Sequence, residues 1–328
     1  MKNFMRKWLK AGFYLLMAAI PFAASGADYP TRTVRLIVPF SAGGGTDVLA
    51  RKVAAEISTI MGGTVIVENK PGATGVIAIN DVKAAAPDGY TLFITHSAVI
   101  TLNPLRYEKP PYSPKDLLPV VEVSRGQQAL IVGTAVPAKD LKGFVEYAKA
   151  QGDKMAFASW GLGTASHYAG EYLNKLAGLK MIHVPYAGAA PVSQAVMGNQ
   201  VAAGFVDPAT ASAMRKTGKL QVLAVAGENR SPALPDVPTF KELGMPEMAP
   251  FGGSISIFAP LGTPPEVCAK ITDAVRKTIR RDDIAAWMNE GGFVPAGRSG
   301  TELASSIDQE ISNWERVLTA IGVQKQQY

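Results

Sequence analysis

The chain has 328 residues, 47% of them hydrophobic, and a formal net charge of +6 from 33 Lys or Arg and 27 Asp or Glu. Four of the basic residues and none of the acidic residues lie within residues 1–27, so the rest of the chain carries a net charge of only +2. With no run of Lys or Arg either, the composition argues against a nucleic-acid partner. The single cysteine excludes an intramolecular disulfide and a cysteine-based metal cluster.

Residues 1–27 have the pattern of a secretory signal peptide. Basic residues at positions 2–10 precede an apolar run at 11–24, and small residues follow at Ser25 and Ala27. The apolar run is shorter than the roughly 20 residues that a membrane-spanning helix needs. We therefore expect cleavage near Ala27 and an exported, soluble protein that begins at Asp28.

After the signal, apolar strand-like runs alternate with helical patterns. The first block predicts strands at 34–40, 64–69 and 90–95, with helices at 46–61 and 76–86. Repeated βαβ units of this kind predict parallel strands with helices on the sheet faces.

A second block repeats the alternation. Its predicted strands are 128–134, 154–159, 181–186, 202–207 and 220–226, and its predicted helices are 139–150, 165–177 and 190–197. A strand at 254–260 and three helices close the chain, and Ser299-x-x-Glu302 is a capping signature for the last helix.

These two blocks predict an α/β fold of two domains. Because the runs 117–123 and 254–260 could cross between the blocks, we assign residues 28–124 and 249–328 to one domain and 125–248 to the other. The predicted architecture is a periplasmic-binding-protein fold of type II-like organisation, with a hinge of crossing strands and a ligand cleft between the domains.

Two glycine-rich loops occupy equivalent places in the two blocks. PFSAGGGTD (39–47) and ASWGLGTASH (158–167) each join a buried strand to an amphipathic helix. Such a junction directs free N–H groups and the positive end of the helix dipole beyond the strand, where ligands of open α/β sheets bind. We therefore predict a carboxylate held from both sides by Ser41, Ala42, Gly43, Gly44, Gly45 and Thr46 of one loop and by Trp160, Gly161, Gly163, Thr164 and Ser166 of the other.

A nucleotide phosphate or a dinucleotide fits the two glycine loops less well. No lysine follows Gly45, as a phosphate-binding P-loop would require, and the dinucleotide pattern G-x-G-x-x-G fails at Val48 and at Ser166. We expect no cofactor. The three histidines have no metal-ligand spacing, so we expect no metal either. Glycines that serve only helix entry and packing remain an alternative.

An exported serine hydrolase is an alternative from another functional class. Ser159 or Ser166 with His167 would supply its nucleophile and base, but the chain lacks the first glycine of the G-x-S-x-G elbow. We therefore expect that the protein is not an enzyme. Asp207 ends a strand before Pro208, and both a cleft role and a simple turn role stay open for it.

The chain resembles the Bug family, the periplasmic solute receptors of tripartite tricarboxylate transporters. The motifs that carry the resemblance span residues 28–325 in the family's order: PFSAGGGTDVLAR, VENKPGATG, APDGYTL, SWGLGTASH, HVPYAG, SPALPDVPT and APLGTPPEV. The resemblance implies a Venus-flytrap closure around a di- or tricarboxylate, an aromatic carboxylate or an amino acid, and delivery to a two-component membrane permease. We expect a monomer. A sensor that feeds a signalling partner would use the same cleft.

The resemblance also implies roles for individual residues. The two glycine loops match the family's facing carboxylate-binding loops, and Asp207 matches an acidic position that faces the cleft. His96, Ser97, Asp207 and Phe251 would shape the far end of the pocket. The chain departs from the family pattern at Ala187, at Pro208 and at His96-Ser97, so the ligand's identity and valence stay open.

Overall fold

The structure is a computed structural model that describes residues 29–328. The predicted signal peptide, its cleavage point near Ala27 and the predicted first residue Asp28 lie outside the described residues. Within 29–328, none of the helices combines the length and the apolar character that a bilayer-spanning segment requires.

Strands in the described part of the chain form two separate sheets. In chain order they are β1 (Val34–Val38), β2 (Val65–Asn69), β3 (Thr91–His96), β4 (Leu117–Gln127), β5 (Ala129–Gly133), β6 (Ala156–Ser159), β7 (Ile182–Pro185), β8 (Ala203–Val206), β9 (Leu220–Val225), β10 (Gly252–Pro260) and β11 (Val294–Pro295). The first sheet has the order β11-β4-β10-β3-β1-β2, and the second has the order β7-β6-β8-β5-β9.

Helices cover the faces of both sheets. They are α1 (Gly45–Met61), α2 (Val76–Lys83), α3 (Ser97–Thr101), α4 (Leu141–Gln151), α5 (Ala165–Ala177), α6 (Ala189–Met197), α7 (Pro208–Arg215), α8 (Pro265–Ile279), α9 (Asp282–Glu290) and α10 (Gly300–Ala320). A 3₁₀ turn at Asn103–Arg106 follows α3.

The chain leaves the first sheet through β4 and returns to it through β10. Strands β4 and β10 pair antiparallel along their length, and β10 also pairs with β3. The predicted two-domain α/β fold with crossing strands is confirmed by this topology. The proposed domain boundaries, 124/125 and 248/249, fall within β4 and just before β10 and stay a prediction.

Parallel strands place the two glycine loops at sheet edges that face the crossing strands. Strands β1, β2 and β3 are parallel, so their C-terminal ends share one edge of the first sheet. Strands β6, β7 and β8 are likewise parallel in the second sheet. Loops 39–44 and 160–164 start at those ends, as the sequence predicted.

Helix α10 bridges the two sheets. Its first half packs Leu303 and Ile307 against the first sheet, whereas Trp314 and Leu318 join the core of the second. The predicted capping box at its start is wrong. Ser299 is the N-cap residue, but its side chain makes no capping hydrogen bond; its Oγ accepts a hydrogen bond from Nη2 of Arg276 at 2.9 Å.

Candidate ligand-binding site

Two direct contacts join the sheet edges that carry the glycine loops. On one side, a Cβ atom at Gly163 of the second loop would lie 2.7 Å from Cζ of Arg106, which belongs to the first half of the fold. On the other side, a Cβ atom at Gly292 would lie 3.1 Å from Cβ of Ala209. The two halves of the fold therefore approach each other closely at both points.

The first glycine loop leaves the N-terminus of α1 open. Gly44 is the N-cap residue and offers no side chain, and Gly43 needs its glycine because its φ is +87°. Among the described residues, the amides of Gly44, Gly45 and Thr46 meet no hydrogen-bond acceptor. Three free N–H groups at the positive end of a helix form a site that suits an anion.

Asp47 takes the amide of Gly43 out of this set. Its Oδ2 accepts the N–H of Gly43 at 2.9 Å, and its Oδ1 accepts Nδ2 of Asn69 at 2.8 Å. Burial acts to raise the pKa of Asp47, but these hydrogen bonds and the one from Arg51 outweigh it and hold the pKa below its usual value. The ionised Asp47 therefore holds the loop in place through the amide of Gly43. Because that amide is already bonded, any contact of Gly43 with a ligand must use other atoms of the residue.

The second glycine loop is closed by its own side chains. The amide of Trp160 donates to Oγ of Ser166 at 3.2 Å, and the amide of Gly163 donates to Nδ1 of His167 at 3.1 Å. Thr164 caps α5 by accepting the amide of His167. Gly161 donates its amide to Oγ of Ser159 at 3.2 Å.

The two loops are therefore not equivalent, although the sequence pairs them. In the first loop the free amides lie at the start of α1, whereas in the second loop the amides of Leu162, Ala165 and Ser166 are the ones that meet no acceptor among the described residues, and Ser166 itself is fully buried. A ligand can pack against the surface of the second loop and against Arg106 beside it. It cannot bond to the amides of Trp160, Gly161 and Gly163, because these donate to side chains of the loop and its flanks.

Ser159 forms a hydrogen bond with His183, and not with His167 as the hydrolase alternative assumed. Its Oγ lies 2.6 Å from Nε2 of His183, and the ring of His183 stacks on His167 with 4.0 Å between centroids. The pairing considered for a hydrolase, with His167 as base, does not form, since Nδ1 of His167 holds the loop amide. Within residues 29–328 no carboxylate bonds to His183, so the described groups lack a Ser-His-acid triad.

His96 stands at the end of β3 and caps α3. Its Nδ1 accepts the amide of Ala98 at 3.2 Å, so its Nε2 carries the proton of the neutral ring. Burial lowers the pKa of His96 to about 4, so the ring stays neutral near pH 7. The ring lies against Gly253, where a Cβ atom would come within 2.4 Å of Cε1.

Ser97 and Phe251 lie in the interior and join parts of the fold. Ser97 is 2% exposed, and its Oγ donates to Oε1 of Glu310 at 2.7 Å and accepts the amide of Ser254 at 3.0 Å. Phe251 is 1% exposed and packs against Tyr172 and Trp314. Both residues are therefore buried in the interior, whereas the sequence predicted that they line the far end of the ligand pocket.

Asp207 has the turn role that the sequence left open. It is the N-cap residue of α7, with Oδ1 accepting the amide of Thr210 and Oδ2 accepting its hydroxyl, both at 2.8 Å. No cation in residues 29–328 pairs with it within 4.0 Å. Asp207 is partly exposed at the edge of the second sheet, so a cleft role is compatible with the cap and stays a prediction.

Three residues at this site escaped the sequence analysis. They are Arg106, whose guanidinium covers Gly163; Phe293, whose Cζ would lie 3.4 Å from a Cβ at Gly45; and Gln128, which links β4 to β5. Arg106 and Phe293 lie in connections without hydrophobic periodicity, and only the tertiary fold brings them to the glycine loops, whereas Gln128 is the first residue of the predicted strand 128–134. No local pattern marks them.

A polar cavity of about 570 Å³ lies elsewhere, where the crossing strands meet α10. Its lining includes Arg125, Gln127, Asn229, Arg298 and Glu310, and none of the predicted site residues lines it. The described residues contain no group of three or more His, Cys, Asp or Glu side chains that could hold a metal ion.

The sequence profile of the tripartite tricarboxylate transporter family receptor matches residues 49–323. The chain belongs to this receptor family. Receptors of this family are periplasmic binding proteins, which agrees with the resemblance seen in the motifs.

Relatives match the receptor over nearly its whole length. A UPF0065 protein of Bordetella pertussis is 31% identical over 312 residues, which cover 95% of this chain and 96% of the relative. The protein BugT of the same organism is 29% identical over 324 residues, covering 98% of each chain.

Solved structures of similar proteins include two with carboxylates bound. Rpa4515 of R. palustris with adipate has a TM-score of 0.77 and 29% identity, over 90% of this chain and 98% of its own. MatC from Rhodopseudomonas palustris with bound malate has a TM-score of 0.72 and 32% identity, over 88% and 100%. The periplasmic binding protein BugD has a TM-score of 0.74 and 32% identity, over 91% and 100%.

Proposed function

We propose that this receptor captures a small carboxylated solute between its two sheets and delivers it to the two-component permease of a tripartite tricarboxylate transporter. Family membership and the adipate and malate complexes of similar proteins support a carboxylate ligand. The proposal includes export with cleavage near Ala27, a monomeric receptor without cofactor, and no catalytic activity.

The open N-terminus of α1 carries this proposal. The free amides of Gly44, Gly45 and Thr46 point out of a helix whose dipole places roughly half a positive charge at that end. Arg106 adds a full positive charge beside the N-terminus of α5, and no acidic residue in 29–328 pairs with it. A ligand carboxylate between these groups would satisfy both, at about 1.5–3 kcal/mol for each hydrogen bond to the charged group.

Closure would proceed about the crossing strands. Gln128 links β4 to β5, and the segment after β9 leads back to β10, so two connections join the halves and allow a hinge motion. A ligand that contacts both halves binds the closed form better and shifts the population toward it. The permease would then recognise that closed form.

The test is a thermal-shift and calorimetry screen of mono-, di- and tricarboxylates. A ligand at 100 times its Kd that binds only the folded state should raise the free energy of unfolding by about 2.7 kcal/mol. Gly44→Val removes access to the amides, and the variant should fold because the nearest atom to its new Cβ is a carbonyl oxygen 3.8 Å away. We expect a loss of affinity of at least about tenfold, with a loss of stability of no more than about 1 kcal/mol in the absence of ligand, because valine is a poorer N-cap residue than glycine.

Arg106→Ala should weaken carboxylate binding, whereas Arg32→Ala serves as the matched control. Arg32 is an arginine with a 61% exposed side chain that pairs with Asp88 away from the glycine loops. If no carboxylate stabilises the wild type, or if Gly44→Val binds as the wild type does, the proposed site is wrong. Ester turnover that disappears in Ser159→Ala would instead favour the hydrolase, which the contact between Ser159 and His183 brings into consideration.

A further inference from the structure

Gln128 has an orphaned acceptor in the interior of the protein. Its side chain is 3% exposed, and its Oε1 is buried without a hydrogen-bond partner among residues 29–328. Buried polar atoms of this kind are rare in native proteins because an unpaired acceptor loses its bonds to water. A donor from outside the chain would satisfy this oxygen.

The strand register places Gln128 at the edge where ligands would bind. Ala129 pairs with Val206 in the antiparallel ladder of β5 and β8, so Gln128 stands opposite Asp207 at the end of that ladder. The preceding residue, Gln127, lines the polar cavity at the crossing strands and donates to the carbonyl of Asn229. Because side chains alternate along an extended chain, Gln128 is directed away from that cavity.

The charges around Gln128 differ from those at the glycine loops. Asp207 is an acidic group without a cationic partner in the described residues, and neutral His96 lies against Gly253, whose ladder partner is Gly126. Amides and Arg106 make the glycine-loop end positive, whereas the carboxylate of Asp207 makes this end negative, and Oε1 of Gln128 adds a neutral acceptor.

A single dipeptide of the fold touches both ends. Gly292 lies against Ala209 and Asp207, and the ring of the next residue, Phe293, lies against Gly45. The N-terminus of α1 and Asp207 therefore both border this short segment of the chain.

We infer that the solute carries one carboxylate for the glycine loops and, at its other end, a hydrogen-bond donor such as an ammonium, amide or hydroxyl group, which Gln128 and Asp207 accept. This inference rests on the proposed function and narrows it. A second carboxylate at this end would meet the charge of Asp207 and offer no proton to Oε1 of Gln128. The solute class thus differs from the dicarboxylates adipate and malate seen with two similar proteins.

Matched probes of equal length test the inference by calorimetry. Succinate is compared with succinamate and 4-aminobutyrate, and adipate is compared with adipamate and 6-aminohexanoate. We expect the amide or amine of a set to bind at least about tenfold more tightly than its dicarboxylate, because a site built to accept a donor discriminates against an analogue that lacks it.

Variants at Gln128 then assign the preference to this side chain. Gln128→Glu, an acceptor without donors, should increase the preference for the amine, and Gln128→Leu should reduce it toward unity. Gln127→Glu and Gln127→Leu are the matched controls, since Gln127 faces the other cavity, and they should leave the ratio unchanged.

Several outcomes would overturn the inference. Dicarboxylates that bind as tightly as their amides or amines would refute it while leaving the carboxylate receptor intact. If the Gln127 and Gln128 variants change the ratio of amide or amine affinity to dicarboxylate affinity equally, Gln128 is not the residue that accepts the donor. Should a Gln128 variant fail to fold, the wild-type ratios still decide the solute class. A wild type that binds none of the probes would contradict the inference, whereas the proposed function is contradicted only if no carboxylate of the wider screen binds.

Discussion

Acidification should loosen the second glycine loop through His167. Its Nδ1 accepts the amide of Gly163 at 3.1 Å, and a protonated ring has no acceptor nitrogen left for that bond. Burial, the neighbouring His183 and Arg106 lower the pKa of His167 to about 4 from an ordinary value of 6.5. The side chain is only 14% exposed, so water screens these effects little.

The magnitude follows from the difference between the folded and unfolded states. The unfolded chain takes up this proton near pH 6.5 and the folded chain near pH 4, so stability from His167 is complete above pH 6.5 and is lost as the pH falls toward 4. At about 1.4 kcal/mol for each pKa unit, the difference amounts to about 3 kcal/mol. His96, with a pKa of about 4, adds a loss of similar size over the same range.

Two measurements check this prediction. NMR titration of the histidine Cε1–H signals should show His167 titrating well below pH 6, and urea unfolding should give a lower free energy at pH 4.5 than at pH 7. In His167→Asn, Oδ1 can accept the Gly163 amide without titrating, so the roughly 2.4 kcal/mol that His167 contributes to the difference between pH 7 and pH 4.5 should disappear. A titration of His167 at or above pH 6.5, or equal pH dependence in the variant and the wild type, would refute the reasoning.

Two further predictions concern the core. Glu122 is fully buried and accepts bonds from Nε and Nη2 of Arg298 at 2.7 and 2.8 Å, and Arg125 donates to it at 3.1 Å. Arg298→Ala removes two of these bonds and leaves Arg125 as a partner, so we expect the free energy of urea unfolding to fall by about 1.5–3 kcal/mol. Arg32→Ala, at an exposed pair, should cost less than about 1 kcal/mol, and equal losses would contradict this. Gly170→Ala would place a Cβ atom 2.0 Å from the ring of Phe157. We therefore expect the free energy of urea unfolding to fall by about 1–3 kcal/mol, although alanine in place of glycine usually stabilises a helix. A stabilised variant would show that α5 can shift away from Phe157.

The sequence predicted most strands and helices because their signals are local. Each predicted strand after the signal peptide appears in the structure. Of the four residues that the helical pattern of 46–61 placed on one face, Leu49, Val53 and Ile57 are buried, whereas Ile60 is 37% exposed. The short β11 was missed, because its pairing with β4 depends on a distant part of the chain and two residues carry no pattern.

The site was less predictable because its hydrogen bonds join residues in three dimensions. The motifs correctly indicated two strand–loop–helix junctions, but not that Asp47 takes the amide of Gly43 or that His167 and Ser166 close the second loop. The failed capping box has the same cause. Ser299 has the right spacing, but its hydroxyl bonds to Arg276 of another helix and makes no capping hydrogen bond.

The insertion of β10 between β3 and β4 governs the order in which the molecule can be assembled during synthesis. Strands β5 to β9 are contiguous in the chain, so the second sheet has all its strands once residue 225 has been made. The first sheet must wait for β10, which arrives long after the strands on either side of it, and for α10 at the C-terminus. A chain that stops before Gly252 would therefore leave the first half of the receptor as two unjoined pieces, with β3 and β4 exposing unpaired edges that favour aggregation.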